Sequence, residues 1–473
     1  MVVGDLATGT ELLIIGAGPG GYVAAIRAAQ LGKEVTLVDK SELGGVCLNI
    51  GCIPSKALIH ASDEFYKIQN SESMGITVKD VKIDVEKLQQ WKSKIVKTLT
   101  SGIGMLCNKN KVTVIKGDAF FQSPTMVKIL VENGFKNIEF QNAIISTGSE
   151  PIEIPDFKFD HKVIIDSTDA LALKQIPKSL VVIGGGYIGL ELGTVYAKFG
   201  SSVSVVELGS QLLPGQDKDV VTVLQRRLEK LGVKIYLEHK AEKCDIKGDS
   251  AEITISSKDG SKVSLNADNV LVAVGRKINL SNLKLENTKV ELDDKGYIKI
   301  DSQMRSTERR IFAIGDVTGN PMLAHRASKQ GKVAAEVIAG QESSFDNLVV
   351  PAVVFTDPEI AIAGITENEA EAKALDVKIG KFPFAALGRA LTVNDTEGFI
   401  KIISEKESGL VLGITIVGYN ASDVIGEAIL AIEMGATLDD IALTIHPHPT
   451  FTESLMEAAE VAQGHAIHIF SGK

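Results

Sequence analysis

"ELLIIGAGPGGYVAAIRAAQLGKEVTLVDK", residues 11–40, has a near copy in "KSLVVIGGGYIGLELGTVYAKFGSSVSVVEL", residues 178–208. One offset brings Gly16 onto Gly184, Gly18 onto Gly186, Gly21 onto Gly189, Gly32 onto Gly200 and Asp39 onto Glu207. In each copy an apolar run (Leu12–Ile15, Leu180–Ile183) enters a G-x-G-x-x-G turn. A helix-length segment ending at glycine follows, then a second β-rich run that ends on a carboxylate. The spacing predicts strand, turn, helix and strand, the order of a dinucleotide-binding unit. The first glycine makes the tight turn, the second lets backbone approach a pyrophosphate, and the third packs helix on strand, while the helix N-terminus favours the phosphate charge. The acid stands where a ribose hydroxyl can donate to it. One such turn is a weak signal, but two with the same following acid imply two bound dinucleotides. After Glu207 the chain reads "LGSQLLPG", with no arginine to receive a 2′-phosphate, so the second copy is expected to prefer NAD over NADP.

At 473 residues the chain exceeds what one hydrophobic core supports, and two to four domains are expected. Its 44% hydrophobic and 23% charged composition is that of an ordinary globular protein. A net charge of -10 with no basic block argues against a nucleic-acid surface, which needs clustered Lys and Arg. No stretch reaches the roughly 18 uninterrupted apolar residues of a membrane span, and the opening residues lack the basic start and apolar core of a secretory signal. A cytoplasmic protein without a membrane partner is expected. In a reducing compartment a close cysteine pair is more readily catalytic or metal-binding than structural. Of the four cysteines, Cys107 and Cys244 stand alone, so no metal site is expected.

The other two fall in "GGVCLNIGCIPSK", residues 44–56, just after the first copy and therefore near whatever that copy binds. Pro54 limits where a regular helix can begin, and the spacing of Cys47 and Cys52 is short enough for a disulfide to close a distorted turn. Beside an electron-carrying ring such a pair cycles between disulfide and dithiol, two electrons at a time. The plainer alternative is a pair of inert, buried thiols. Further along, "IFAIGDV" (311–317) reads as a short apolar strand ending at Gly315-Asp316, where α/β folds present ligand groups. "HPHPTFTES" (446–454) holds two of the eight histidines, natural bases for a thiol near neutral pH. Spacing alone does not choose between His446 and His448.

Together these stretches resemble the class I pyridine nucleotide-disulfide oxidoreductases, from about residue 10 to about 465 and in that family's order. The resemblance implies an α/β protein of four parts. These are a Rossmann-like FAD-binding domain with a redox disulfide (1–150), a Rossmann-like NAD-binding domain (151–275), a central domain completing the FAD site (276–347), and an α+β dimerisation domain (348–473). Cys47 is then the interchange thiol attacked by substrate, and Cys52 faces the flavin as a charge-transfer thiolate. Lys56 matches the lysine near the flavin N5, with Glu191 as its ion-pair partner. The remaining FAD contacts implied are Gly16, Gly18, Gly21, Asp39, Gly117, Thr147, Gly148, Asp316 and Ala324, with Leu323 and His325 also near the ring. On the NAD side stand Gly184, Gly186, Tyr187, Gly189, Glu191, Glu207 and Gly275, Tyr187 being an aromatic able to cover the nicotinamide site.

The family pattern H-x-H-P-T-x-x-E matches His448 to the catalytic base and Glu453 to the carboxylate that orients it, leaving His446 structural. That base reaches the disulfide of the other subunit, so a homodimer with shared active sites is implied. "STGS" (146–149) and "VAVGRKIN" (272–279) resemble the segments that hand the chain between domains. Lys277-Ile278 and Pro447 depart from the usual pattern. The activity implied is oxidation of protein-bound dihydrolipoamide to lipoamide with reduction of NAD+, as the flavoprotein subunit of a 2-oxo acid dehydrogenase complex, pyruvate dehydrogenase favoured. Its lipoyl groups would come from an E2 acyltransferase, whose peripheral subunit-binding domain would dock the dimer, since no lipoyl domain precedes the first strand. Among relatives, mercuric reductase and high-molecular-weight thioredoxin reductase need C-terminal cysteines, and none follows Cys244. Glutathione reductase needs arginines after the second turn, and soluble transhydrogenase lacks the cysteine pair. The alternatives are another disulfide reductase of this family, or a non-catalytic scaffold subunit.

Overall fold

The computed structural model describes residues 8–470. Outside the described residues lie 1–7, part of the stretch read for a secretory signal, and 471–473, so the outer limits of the first and last expected domains fall there too. No described helix is long and apolar enough to cross a membrane. The chain divides into two compact units. One gathers the segment ending at Leu58 with Ile83–Ile152 and Gly275–Asp346; the other gathers Ile59–Lys82, Glu153–Val274 and the chain from Asn347 onward.

The first unit is built on a seven-stranded sheet. Thr8–Ile15 lies at its centre, parallel to Val35–Asp39 on one side and to Gly134–Ile145 on the other. Thr113–Lys116 extends the parallel set beyond Val35–Asp39, and Ile311–Ala313 joins Gly134–Ile145 in parallel. Asp118–Ser123 and Met126–Val131 continue it antiparallel. The central strand is apolar at every position from Leu12 to Ile15 because both faces are covered. Leu12 and Ile14 pack with Ala24, Ala28 and Val333 of the helices Pro19–Gln30 and Ala324–Ile338. Leu13 and Ile15 point the other way, onto Phe121, Ile129 and Phe140. The two connecting segments meet as a ribbon, Glu150–Pro151 antiparallel to Arg276–Lys277. The unusual Lys277 is accommodated there by Glu150, 3.5 Å from its Nζ.

In the second unit Lys234–Tyr236, Ser202–Val206, Ser179–Ile183, Asn269–Val272 and Ile164–Ile165 form, in that order, a parallel five-stranded sheet. The helix Tyr187–Lys198 follows its central strand. A three-stranded antiparallel sheet covers residues 239–267. The C-terminal part is a five-stranded antiparallel sheet backed by Ala421–Glu433 and Glu453–Gln463, around a core of Phe382, Phe384, Ile400, Ile414, Phe451 and Leu455. Lys401, 1% exposed, is tied into it by Asp217 at 2.7 Å, Glu367 at 2.8 Å and Asp219 at 3.1 Å.

Candidate functional site

Both glycine turns have the same internal contacts. A side chain at Gly16 would press on the Ser146 carbonyl at 2.2 Å, and one at Gly184 on the Ala273 carbonyl at 2.5 Å. Both glycines have positive φ, 103° and 107°, so only glycine fits on either count. A Cβ at Gly21 or Gly189 would strike the carbonyl of Gly16 or Gly184, at 1.8 Å and 2.6 Å. That is the close helix-strand approach expected of the third glycine. The acids close the pattern: Asp39 accepts the N–H of Ala17, and Glu207 that of Gly185, each at 2.6 Å.

Gly18 and Gly186 are different. Their φ values, -67° and -80°, suit any residue, and a Cβ there would meet nothing within 4 Å. Neither backbone strain nor protein packing asks for glycine at these two places. Each is the N-cap of a helix, Pro19–Gln30 and Tyr187–Lys198, and neither cap residue supplies a side-chain cap hydrogen bond. A helix N-terminus whose cap residue carries no side chain, with open space where a Cβ would stand, fits a pyrophosphate at both turns.

The cysteine segment packs directly on the first turn. Gly44 donates its N–H to the Ala17 carbonyl at 2.9 Å, and Gly45, at φ 58°, lies so close that a Cβ would come within 2.6 Å of the Gly18 Cα. The two glycines before Cys47 are there for this approach. Cys47 sits in the short helix Gly45–Ile50, and Cys52 opens the helix Cys52–Gln69 after a break at Gly51. Pro54 falls in that helix's first turn, where its missing N–H costs nothing. The pair is in the dithiol form. The hydrogen bond to Cys52, then burial, hold the Cys47 thiol far above its usual pKa; Lys56, one turn into the helix, pulls it the other way. Tyr22 is pushed up by burial and by the neighbouring Cys47, a contact with no signature in the sequence.

Asp316 lies in the turn Gly315–Thr318, straight after Ile311–Ala313. Its carboxylate accepts from Ser149 Oγ at 2.6 Å, and Arg276 donates to the Ser149 hydroxyl at 2.8 Å and carbonyl at 2.6 Å. Ser149 and Arg276 belong to the motifs quoted above, yet nothing in the spacing showed that they join Asp316. Gln330, 1% exposed, accepts the Gly315 N–H at 2.8 Å. Ala324, flanked by Leu323 and His325, opens the helix Ala324–Ile338, again without a side-chain cap. Thr147 is exposed and Gly148 has φ 71°. Gly117 is explained by packing, since a Cβ would meet the Leu130 carbonyl at 2.4 Å, while its N–H bonds the Asp39 carbonyl. Gly275, expected on the NAD side, falls in the last segment of the first unit, where its carbonyl accepts the Ile152 N–H at 3.2 Å.

In the second unit Tyr187 is 42% exposed at the start of its helix. Glu191 is buried and accepts the Phe355 N–H at 2.9 Å. The two C-terminal histidines separate clearly. His446 is buried, with Nε2 on Glu427 at 2.7 Å and Nδ1 on the Thr444 carbonyl at 2.9 Å. His448 is 77% exposed, with Nδ1 2.8 Å from Glu453 Oε1. Glu453 is itself anchored by the Thr450 N–H at 2.7 Å on Oε2. A carboxylate at Nδ1 fixes that nitrogen as the protonated one and leaves Nε2 as the basic one. Among the described residues, His161, Asp166 and Asp169 form one group whose ligand atoms lie within 4.8 Å of one another. The two aspartates there are the capping box of the helix Ser167–Leu171, a structural duty.

The sequence profile of the pyridine nucleotide-disulphide oxidoreductases matches residues 10–331, and that of their dimerisation domain matches residues 350–459. The chain is 52% identical over 470 residues to the dihydrolipoyl dehydrogenase of Bacillus subtilis, covering 99% of this chain and 100% of that one. It is 49% identical over 472 residues to the dihydrolipoyl dehydrogenase of Haloferax volcanii, covering 99% of each. Among solved structures it superposes on LpdA of Mycobacterium tuberculosis with a TM-score of 0.89 at 27% identity, over 95% of this chain and 99% of that one. The HOCl-induced flavoprotein disulfide reductase RclA of Escherichia coli gives 0.85 at 28%, again over 95% and 99%.

Proposed function

The chain belongs to the pyridine nucleotide-disulphide oxidoreductase family, and from that premise we propose that it oxidises protein-bound dihydrolipoamide to lipoamide and reduces NAD+ to NADH. Full-length identity of about one half to proteins named for this reaction supports the substrate. The observation that carries the reading is the Cys47 and Cys52 pair seated on the first glycine turn through Gly44 and Gly45. FAD held at that turn would supply a two-electron carrier beside the dithiol, and NAD+ held at the second would supply a hydride acceptor.

The residues of the chain supply the thiol chemistry. Nε2 of His448 of the partner subunit takes a proton from one substrate thiol, because the thiolate is the nucleophile. That sulfur attacks Cys47 of the oxidised pair, forming a mixed disulfide and releasing Cys52 as thiolate. The second substrate thiol then displaces Cys47, and lipoamide leaves. Glu453 orients the base and stabilises its cation. Lys56 and the chain Arg276, Ser149 and Asp316 would hold the flavin, while Glu191 and Tyr187 stand on the NAD side, Tyr187 covering the nicotinamide place.

This reading takes the chain as four parts divided at 150, 275 and 347, with the C-terminal dimerisation domain building a homodimer in which each active site takes residues from both chains. The partner is an E2 acyltransferase carrying lipoyl groups, most readily that of a pyruvate dehydrogenase complex in the cytoplasm. The test is anaerobic titration of the yellow protein with dihydrolipoamide and then NAD+, followed by visible absorption. A long-wavelength band at two electrons, discharged by NAD+, is expected. Flavin reduced by NADH but indifferent to dihydrolipoamide would overturn the substrate, and a colourless protein would overturn the flavoenzyme reading.

A further inference from the structure

The chain holds nine arginines among its 50 basic residues, and three of them, Arg305, Arg309 and Arg310, fall within six positions. They line one polar cleft of about 490 Å³ with Gln141 and Asn142. Three other arginines have partners within the fold: Arg27 pairs with Glu336, Arg227 with Asp357, and Arg276 with Ser149. Among the described residues no carboxylate forms an ion pair with any of the three in the cleft. The nearby Asp301 is taken by the backbone N–H groups of Gln303 and Arg305, both at 2.9 Å. Arg305 is held in place by the Phe312 ring, 4.8 Å from its guanidinium carbon, and reaches Gln303 at 3.5 Å. Three guanidinium groups lining one cleft with no ion-pair partner among the described residues make, in a chain of net charge -10, a local positive field that an anion can enter.

The cleft is separate from the dinucleotide turns. Arg310 and Asn142 precede the paired strands Ile311–Ala313 and Ala143–Ile145, whose far ends carry Ile314 and Ser146. Roughly 10 Å of parallel strand therefore lies between this cleft and the carboxyl ends where dinucleotides sit.

We propose that Arg305, Arg309 and Arg310 form an anion site for a small ligand bearing a diphosphate or longer polyphosphate group. Arginine forks match phosphoryl oxygens two at a time, and the Gln141 and Asn142 amides add neutral donors. The volume of about 490 Å³ is that of a small-molecule site. The site stands whether or not dihydrolipoamide is the substrate.

Calorimetric titration of the FAD-loaded enzyme with pyrophosphate, without NAD+, tests it, and the arginine variants separate binding in this cleft from binding at the second glycine turn. One site per chain is expected, weaker at 150 mM salt than at low salt, with affinity about tenfold lower in Arg309→Ala and in Arg310→Ala. Because Arg305 packs on Phe312, Arg305→Lys replaces the alanine variant there; it keeps the charge and weakens binding by losing the fork. Absence of saturable binding at low salt overturns the site, as does unchanged binding in both alanine variants. A polyglutamate peptide that binds more tightly than pyrophosphate would mark an acidic protein partner and overturn the small-ligand assignment.

Discussion

At the first glycine turn Gly44 donates to the carbonyl of Ala17, and at the second Leu213 donates to the carbonyl of Gly185, both at 2.9 Å. The acids Asp39 and Glu207 bond the N–H groups of these same two residues. In both copies the chain leaves its second strand, anchors a carboxylate on the turn, and swings back to bond the residue after the first glycine. What differs is the cargo of the returning segment. The first brings Gly45 against Gly18 and, with it, the two thiols. The second brings Leu212 and Leu213, apolar side chains with no redox capacity. Binding a dinucleotide thus belongs to the repeated scaffold, and the electron-transfer chemistry belongs to a few residues added after one copy.

Removing that cargo gives the largest effect. Cys52→Ser leaves both turns intact, so dihydrolipoamide turnover is expected to fall by about a thousandfold or more, while NADH still reduces an artificial electron acceptor through the flavin. Retention of substrate turnover in a steady-state assay would detach the thiols from the reaction. Next comes the base. Glu453→Gln keeps a polar group beside His448 Nδ1 but removes the charge, and a loss of about tenfold to a hundredfold in kcat is expected. The NADH-driven acceptor reaction should be untouched, and an equal loss in both assays would show structural damage instead.

The two copies can also be set against each other. Gly18→Ala and Gly186→Ala put a methyl into open space at ordinary φ, so both variants are expected to fold. Each methyl then stands where pyrophosphate would lie. Gly18→Ala should weaken FAD retention on gel filtration, and Gly186→Ala should raise the KM for NAD+, each by about tenfold, one lost charge-assisted contact. Crossed results, with FAD lost from Gly186→Ala, would exchange the assignments of the two turns.

The repeat made these turns legible because glycine spacing and a terminal acid are local in sequence. The duty of Gly44 and Gly45 was less so, since their close approach to Ala17 and Gly18 is made across more than twenty residues. The choice between His446 and His448 needed either a family pattern or the fold, because the partner that fills both nitrogens of His446 includes Glu427, a full helix earlier. Arg276 and Ser149 converge on Asp316 through a two-residue ribbon. No periodicity announces so short a pairing. Lys401 is harder still: a lysine on an apolar strand reads as an outward-facing position, whereas three carboxylates from other segments hold it inside.

Both units bury charge, Lys92 in the first, but the buried ion pairs gather in the second, and the smallest expected effect bears on them. The second unit buries Lys198 between Asp63 and Asp357, with Arg227 against Asp357. Asp395 belongs to the same neighbourhood. Burial first, then the charge of Asp357, push its carboxyl up to about 6 from its ordinary 3.8, against the pull of Arg227. An acid with a raised folded pKa contributes stability that is fully present below the unfolded value and is lost as pH rises through the folded one. Ionised Asp395 therefore costs the fold progressively between about pH 4 and pH 6, and the cost is constant above. Asp395→Asn removes that cost. After allowance for its partial exposure, the expected gain is about 1–2 kcal/mol at pH 7.5, smaller at pH 5.5 and smaller again at pH 4.5. Thermal unfolding of both proteins at the three pH values measures it. A gain independent of pH would trace the effect to packing and remove charge burial from the contrast between the units.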